Sequence, residues 1–181
     1  MWVWLSREAG LTDTIQVRAW LSLGSNQLPR RYLPSAIDDL RADFGNLIIS
    51  PVYESEAVGF AGENFLNLVV GIHTDLTPQA VNRQLKAIEN RHGRVRNDNR
   101  FAARTLDIDL LTYGDQIIER DGIRLPRDEI LRYAFVLRPL SEVAGEEIHP
   151  EEGKSYQQLW QGFDRSGQAL WPVALELQKD R

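Results

Sequence analysis

The sequence predicts an α+β fold: a single domain with a ferredoxin-like β-α-β-β-α-β core, additional strands and C-terminal helices. Three observations carry this. Short strand-like segments with apolar residues in runs or partial alternation fall at 16–23, 47–54, 65–73 and 106–113. Segments with a 3.6-residue apolar period lie after the first and third runs, so the order alternates as two β-α-β halves require. No internal repeat, low-complexity stretch or interdomain linker breaks the pattern.

The first run alternates in part and ends at Gly24-Ser25-Asn26, a strand entering a turn. Ile37, Leu40 and Phe44 then share one helical face, and Gly45-Asn46 stops that helix. Residues 47–54 form the next strand, 57–64 a loop, and 65–73 a strongly strand-like segment. Thr77 is an N-cap and Pro78 an N1 residue; Val81, Leu85 and Ile88 supply the buried stripe, and Gly93 ends the helix. After the strand 106–113, Gly114-Asp115 is expected to fold the chain back through 116–118 as a hairpin. A short helix at 129–132, a turn of helix near 140–144 and a final helix at 155–162 complete the core. The expected organisation is an N-terminal extension (1–14), a domain (15–163) and a C-terminal tail (164–181) that carries Trp171-Pro172.

At 181 residues the chain is long enough for one sizeable core, and 43% hydrophobic with 26% charged residues is ordinary globular composition. The net charge of −5 argues against nucleic-acid or anionic-membrane binding through the whole surface. Cysteine is absent, which excludes disulfides, thiolate metal sites and a thiol nucleophile. The apolar run at the N-terminus is too short for a signal peptide and no stretch approaches membrane-spanning length, so a cytoplasmic location is expected.

Against this acidic background, Arg91, Arg94, Arg96, Arg100 and Arg104 crowd into one segment that runs on into Asp107-Ile108-Asp109. Arginine offers a planar donor fork suited to phosphate oxygens. In a strand the two aspartates share one face, about 6.5–7 Å apart along the chain. That spacing suits divalent ions which take one or two carboxylates together with substrate phosphates. Residues 97–103 are small and polar enough for a mobile lid. Phe65 and Asn67 put a ring and an amide on one strand face, able to stack on a flat heterocycle and bond its edge. Phe135 is a candidate for the opposing ring. The three histidines, His73, His92 and His149, are too scattered for a zinc site, and there is no Walker-type loop.

Taken in order, Leu23-Gly24-Ser25-Asn26, Phe65-Leu66-Asn67, Glu89 to Gly93-Arg94-Val95-Arg96, Arg104-Thr105-Leu106-Asp107-Ile108-Asp109 and Ala134-Phe135-Val136-Leu137 resemble the 6-hydroxymethyl-7,8-dihydropterin pyrophosphokinase family, from Arg18 to Gly162. The resemblance implies transfer of the diphosphate of ATP to the hydroxymethyl group of a reduced pterin, releasing AMP, in folate biosynthesis. It implies that Asp107 and Asp109 bind two magnesium ions, and that Arg94 and Arg104, supported by Arg96, neutralise the transferring group. Phe101 at the lid tip and Arg127 would also meet ATP. Asn67 would read the pterin edge between Phe65 and Phe135, with Ser55 and Val58 in the pterin loop. The expected partners are small molecules only, with no nucleic acid and no membrane, and the expected state is a monomer.

Three positions depart from the family pattern. Phe101-Ala102-Ala103 stands where Trp-Gly-Pro is usual, Pro126-Arg127-Asp128 where a histidine follows proline, and Tyr133 where an arginine precedes Ala134. They motivate an alternative: a diverged paralogue that acts on a related pterin or binds pterin and ATP with little transfer. A single-stranded RNA-binding sheet is the other alternative, and it fits poorly, because the basic residues sit in a loop while the strand carries paired acids.

Overall fold

The computed structural model describes residues 16–58, 62–93 and 105–177; the expectations at Arg94, Arg96, Phe101 and Arg104, and those for the extension 1–14, lie outside them. The chain runs β1 (Val17–Ser25), α1 (Pro29–Phe44), β2 (Ile48–Ile49), β3 (Val52–Ser55), β4 (Phe65–Thr74), α2 (Pro78–Arg91) and β5 (Asp107–Tyr113). It continues through β6 (Ile118–Arg120), β7 (Ile123–Leu125), α3 (Glu129–Arg132), α4 (Ala134–Val143), α5 (Tyr156–Gln161) and β8 (Leu170–Val173).

The main sheet has the order β5-β1-β4-β3-β8, with β2 also paired to β4. Every pairing in it is antiparallel. β1 and β3 flank β4, while β4 and β5 flank β1, so each β-α-β half clasps a strand of the other. This is the split arrangement of the ferredoxin-like fold.

Strand alternation divides the sheet into two chemically different faces. Ala19, Leu21, Leu23, Leu66, Leu68, Val70, Ile72, Ile108 and Leu110 pack with Leu33, Ile37 and Leu40 of α1 and Val81, Leu85 and Ile88 of α2. On the other face Trp20, Val69 and Leu111 pack under Ile130, Val136, Leu137 and Leu140. The second helical layer covers only part of that face. It leaves the ends of β1, β3, β4 and β5 nearest Gly24 and Asp107 for other uses.

The cap read from sequence is present: Thr77 accepts from the Ala80 amide at the start of α2; the structure adds a capping box at α5, formed by Ser155 with Gln158. Three expectations need correction. Residues 47–54 are not one strand but β2 and β3, parted at Ser50-Pro51. There Ser50 exchanges bonds with the Val69 backbone through both its amide and its Oγ, and the missing N–H of proline interrupts the ladder. Residues 116–118 do not fold back on β5. Instead β6 pairs with β7 around Asp121 and Gly122, whose φ values of 54° and 74° match the two left-handed positions of a tight hairpin turn. Finally, the turn of helix near 140–144 is the end of a ten-residue helix, α4, with Pro139 inside it. Burial of Val136, Leu137 and Leu140 outweighs the hydrogen bond that proline removes. The tail beyond residue 163 contributes β8, which adds to β3.

Candidate active site

β5 begins at Asp107, and alternation turns Asp107 and Asp109 away from the α1–α2 core that holds Leu106, Ile108 and Leu110. Both carboxylates are half-buried. Across the sheet Asp107 is opposite Gly24, Gly24 opposite Asn67, and Asn67 opposite Tyr53. Asp109 is opposite Ser22, and Phe65 opposite Ser55. The acid pair and the Phe65-Asn67 pair therefore share one face, two strand spacings or about 9.5 Å apart.

Gly24 occupies the middle of that row. A Cβ there would lie 3.2 Å from Asn67 Oδ1 and 3.8 Å from Phe65 Cδ1. Its lack of a side chain keeps a floor open between the amide and the carboxylates. Asn67 is itself buried, and its Nδ2 donates to Ser55 Oγ at 2.9 Å. That bond fixes the amide plane and turns Oδ1 toward Gly24. Val58, half exposed, lies three residues past the end of β3. Ser25 Oγ donates to the Thr105 carbonyl at 2.6 Å, which ties the end of β1 to the start of β5.

Arg127 reaches the acids from the segment after β7. Its amide donates to the Leu111 carbonyl at 2.9 Å, and its Nη2 lies 3.8 Å from Asp109 Oδ1. The guanidinium also donates from Nε and Nη2 to Glu129, at 3.1 and 2.7 Å. Burial works against its charge, but Asp109 and Glu129 outweigh that and hold its pKa above the ordinary value. The neighbouring Asp128 carboxylate pairs with Arg124 and Arg132 instead.

Phe135 lies half-buried near the start of α4, and its ring stacks on Tyr133 with centroids 5.0 Å apart and planes 14° from parallel. The aromatic residue at position 133 thus backs the Phe135 ring, while Arg132 is exposed. Ser55, Phe65, Asn67, Asp107 and Asp109 are brought to one sheet face by register, with Arg127 on the acids. Arg94, Arg96, Phe101 and Arg104 lie outside the described residues.

Two contributors carried little signal in the sequence. Glu89 is buried on α2, and its Oε1 accepts from the Ile108 amide at 2.8 Å, between the two aspartates. In the sequence it adjoins the Val81-Leu85-Ile88 stripe and opens the motif that runs from Glu89 to Arg96, with no role assigned to it there. Glu129, which grips Arg127, had no mark at all. Among the described residues no cluster of three or more His, Cys, Asp or Glu forms a closed metal cage. Two neighbouring carboxylates without such a cage fit a magnesium ion that takes its other ligands from phosphate and water.

The sequence profile of the 7,8-dihydro-6-hydroxymethylpterin-pyrophosphokinase family matches residues 20–145. A 2-amino-4-hydroxy-6-hydroxymethyldihydropteridine pyrophosphokinase of Pseudomonas aeruginosa is 37% identical over 131 residues, 70% of this chain and 80% of the relative. The like-named Synechocystis protein is 36% identical over 67% of this chain, a match that spans 61% of that relative's length. Among solved structures, a Plasmodium falciparum HPPK-DHPS chain with pterin and p-hydroxybenzoate superposes with a TM-score of 0.64 at 14% identity, covering 81% of this chain and 43% of that one. That last likeness speaks for the fold. No helix among the described residues is long and apolar enough to cross a membrane.

Proposed function

Because the chain belongs to the 7,8-dihydro-6-hydroxymethylpterin-pyrophosphokinase family, we propose that it transfers the diphosphate of ATP to the hydroxymethyl group of 6-hydroxymethyl-7,8-dihydropterin and releases AMP. The observation that carries the reading is the row Asp107-Gly24-Asn67, which sets an acid pair and an amide on one sheet face with an open floor between them. The hydroxymethyl oxygen forms a bond to the β-phosphorus of ATP, the bond from that phosphorus to the α,β-bridging oxygen breaks, and AMP leaves. The hydroxyl proton passes to solvent.

Asn67, fixed by Ser55, presents its amide to the edge of the pterin ring. Phe65 and Phe135 provide the faces on which that ring stacks, and Val58 closes the rim. Asp107 and Asp109 would hold two magnesium ions, which when bound neutralise the phosphate oxygens. Arg94, Arg96 and Arg104 neutralise the transferring group, and Phe101 contributes to binding the nucleotide. Arg127, kept charged beside Asp109, faces the same phosphates in place of a histidine. Such a reaction needs little covalent help from protein; positioning and charge neutralisation supply most of the acceleration. Residues 15–163 carry this site, and the enzyme acts as a cytoplasmic monomer.

The test is AMP release from ATP with 6-hydroxymethyl-7,8-dihydropterin, with and without magnesium. Magnesium-dependent AMP formation that requires the pterin is the expected result. ATP and pterin binding without AMP release would instead favour the diverged paralogue, and Arg127→His should then restore transfer.

A further inference from the structure

The two walls assigned to the pterin belong to different layers: Ser55, Phe65 and Asn67 lie on the sheet, whereas Phe135 lies on α4. The distance between the walls is therefore set by whatever joins α4 to the sheet beside the site. One polar cluster does so. Tyr53 of β3, directly opposite Asn67 in register, is buried. Its hydroxyl donates to Glu142 Oε1 at 2.9 Å and accepts from Arg138 Nε at 3.1 Å. Arg138 and Glu142 close the triangle through a 2.7 Å ion pair along α4. Arg138 lies one turn beyond Phe135 on α4, so a displacement of one side chain's backbone carries the other with it. The Arg138 guanidinium also packs over the Trp160 ring, at 5.4 Å from its centroid, which restrains it further.

We propose that Tyr53 and Arg138 are positioning residues for the pterin, a latch that fixes the width of the cleft between Phe135 and the Phe65-Asn67 strand. This rests on the pterin site described above. The latch is directional. Burial holds the Tyr53 hydroxyl's pKa above its ordinary value, partly offset by the Arg138 bond, so the hydroxyl keeps the proton it gives to Glu142. Arginine is needed at 138 because one fork serves both the phenol and the carboxylate, which an ammonium on the same stem cannot do in one geometry.

The experiment compares wild type, Tyr53→Phe, Arg138→Lys and Arg165→Gln in the full chain. Arg165 packs on the same Trp160 ring, at 4.8 Å, and serves as the control for that ring. Equilibrium binding of 6-hydroxymethylpterin and of a non-hydrolysable ATP analogue is measured by fluorescence, with KM and kcat for each substrate and a thermal melt of each variant. Tyr53→Phe and Arg138→Lys should weaken pterin binding and raise pterin KM by about tenfold, as expected for a misplaced wall. Binding of the ATP analogue and kcat at saturating pterin should stay within about twofold, and Arg165→Gln should match wild type. Unchanged pterin affinity in folded Tyr53→Phe overturns the latch while leaving the pterin site intact. An equal loss for both substrates, tracking a lowered Tm, overturns it in favour of a general packing role. A wild-type protein that binds no pterin overturns the site and the latch together.

Discussion

Replacement of Asp109 by asparagine removes one negative charge with almost no change of shape, and the structure separates what this does to the fold from what it does to catalysis. The substitution takes away the charge that Arg127 approaches at 3.8 Å, between side chains that are 34% and 48% exposed. Ion pairs this exposed contribute about 0–1 kcal/mol. Arg127 also keeps its two shorter bonds to Glu129. Loss of the Arg127 pair should therefore cost less than about 1 kcal/mol, a Tm decrease of at most about 2–4 °C for a chain of this size. Loss of one preorganised charge at a phosphate-transfer site removes about 2.7–4 kcal/mol of transition-state stabilisation, a fall in kcat of about 10²–10³. AMP release at saturating ATP and pterin across a magnesium titration, beside a circular-dichroism melt, reads both quantities. Turnover within about threefold of wild type would sink the assignment of Asp109 to the metal site. A melt lowered by more than about 10 °C would show that the acid is structural instead.

Asn67→Ala should raise pterin KM by about 10-fold or more while ATP KM is unchanged, since a paired edge bond is worth more than its net folding contribution; equal changes in both constants would contradict edge recognition. Gly71→Ala would place a Cβ 2.6 Å from the Trp20 ring, which is pinned through Nε1 to Glu147 at 2.8 Å, so denaturant unfolding should show a loss of about 1–3 kcal/mol. The smaller ring of Trp20→Phe should relieve most of that loss, and strictly additive effects would disprove the contact. His149 is buried and accepts at Nδ1 from the Glu151 and Glu152 amides; burial, only partly opposed by the two glutamates, lowers its pKa from 6.5. The unfolded chain then binds the extra proton first, so the stability is complete above pH 6.5 and declines as pH falls below it, by at most about 1.4 kcal/mol per unit. Urea melts between neutral and mildly acidic pH should show that slope in wild type and its loss in His149→Asn; identical slopes would rule it out.

Much of this arrangement is legible before any coordinates. The 3.6-residue stripe with Thr77-Pro78 places α2, and the apolar run at 65–73 places β4, because both signals are local. The alternation of Asp107 and Asp109 against Leu106, Ile108 and Leu110 puts the acids on one face for the same reason. The failures are equally physical. Gly114-Asp115 offers a good turn, but the competing Asp121-Gly122 turn has the two left-handed residues a tight hairpin needs, and only the paired strands decide between them. Pro139 hides α4 from local propensity, and burial against the sheet restores it.

By itself the sequence determined most of the elements, the family they belong to, and that an arginine-rich segment leads into two acids on one face. Only the tertiary structure decided that Gly24 lies between Asp107 and Asn67, that Arg127 is shared by Asp109 and Glu129, and that Tyr53 joins β3 to α4. Periodicity is a property of neighbours in the chain, and it survives in a string of letters. Register across strands, and the packing of one layer on another, pair residues as far apart as Asn67 and Asp107 or Tyr53 and Glu142, and those pairings arise only when the whole sheet closes around its core.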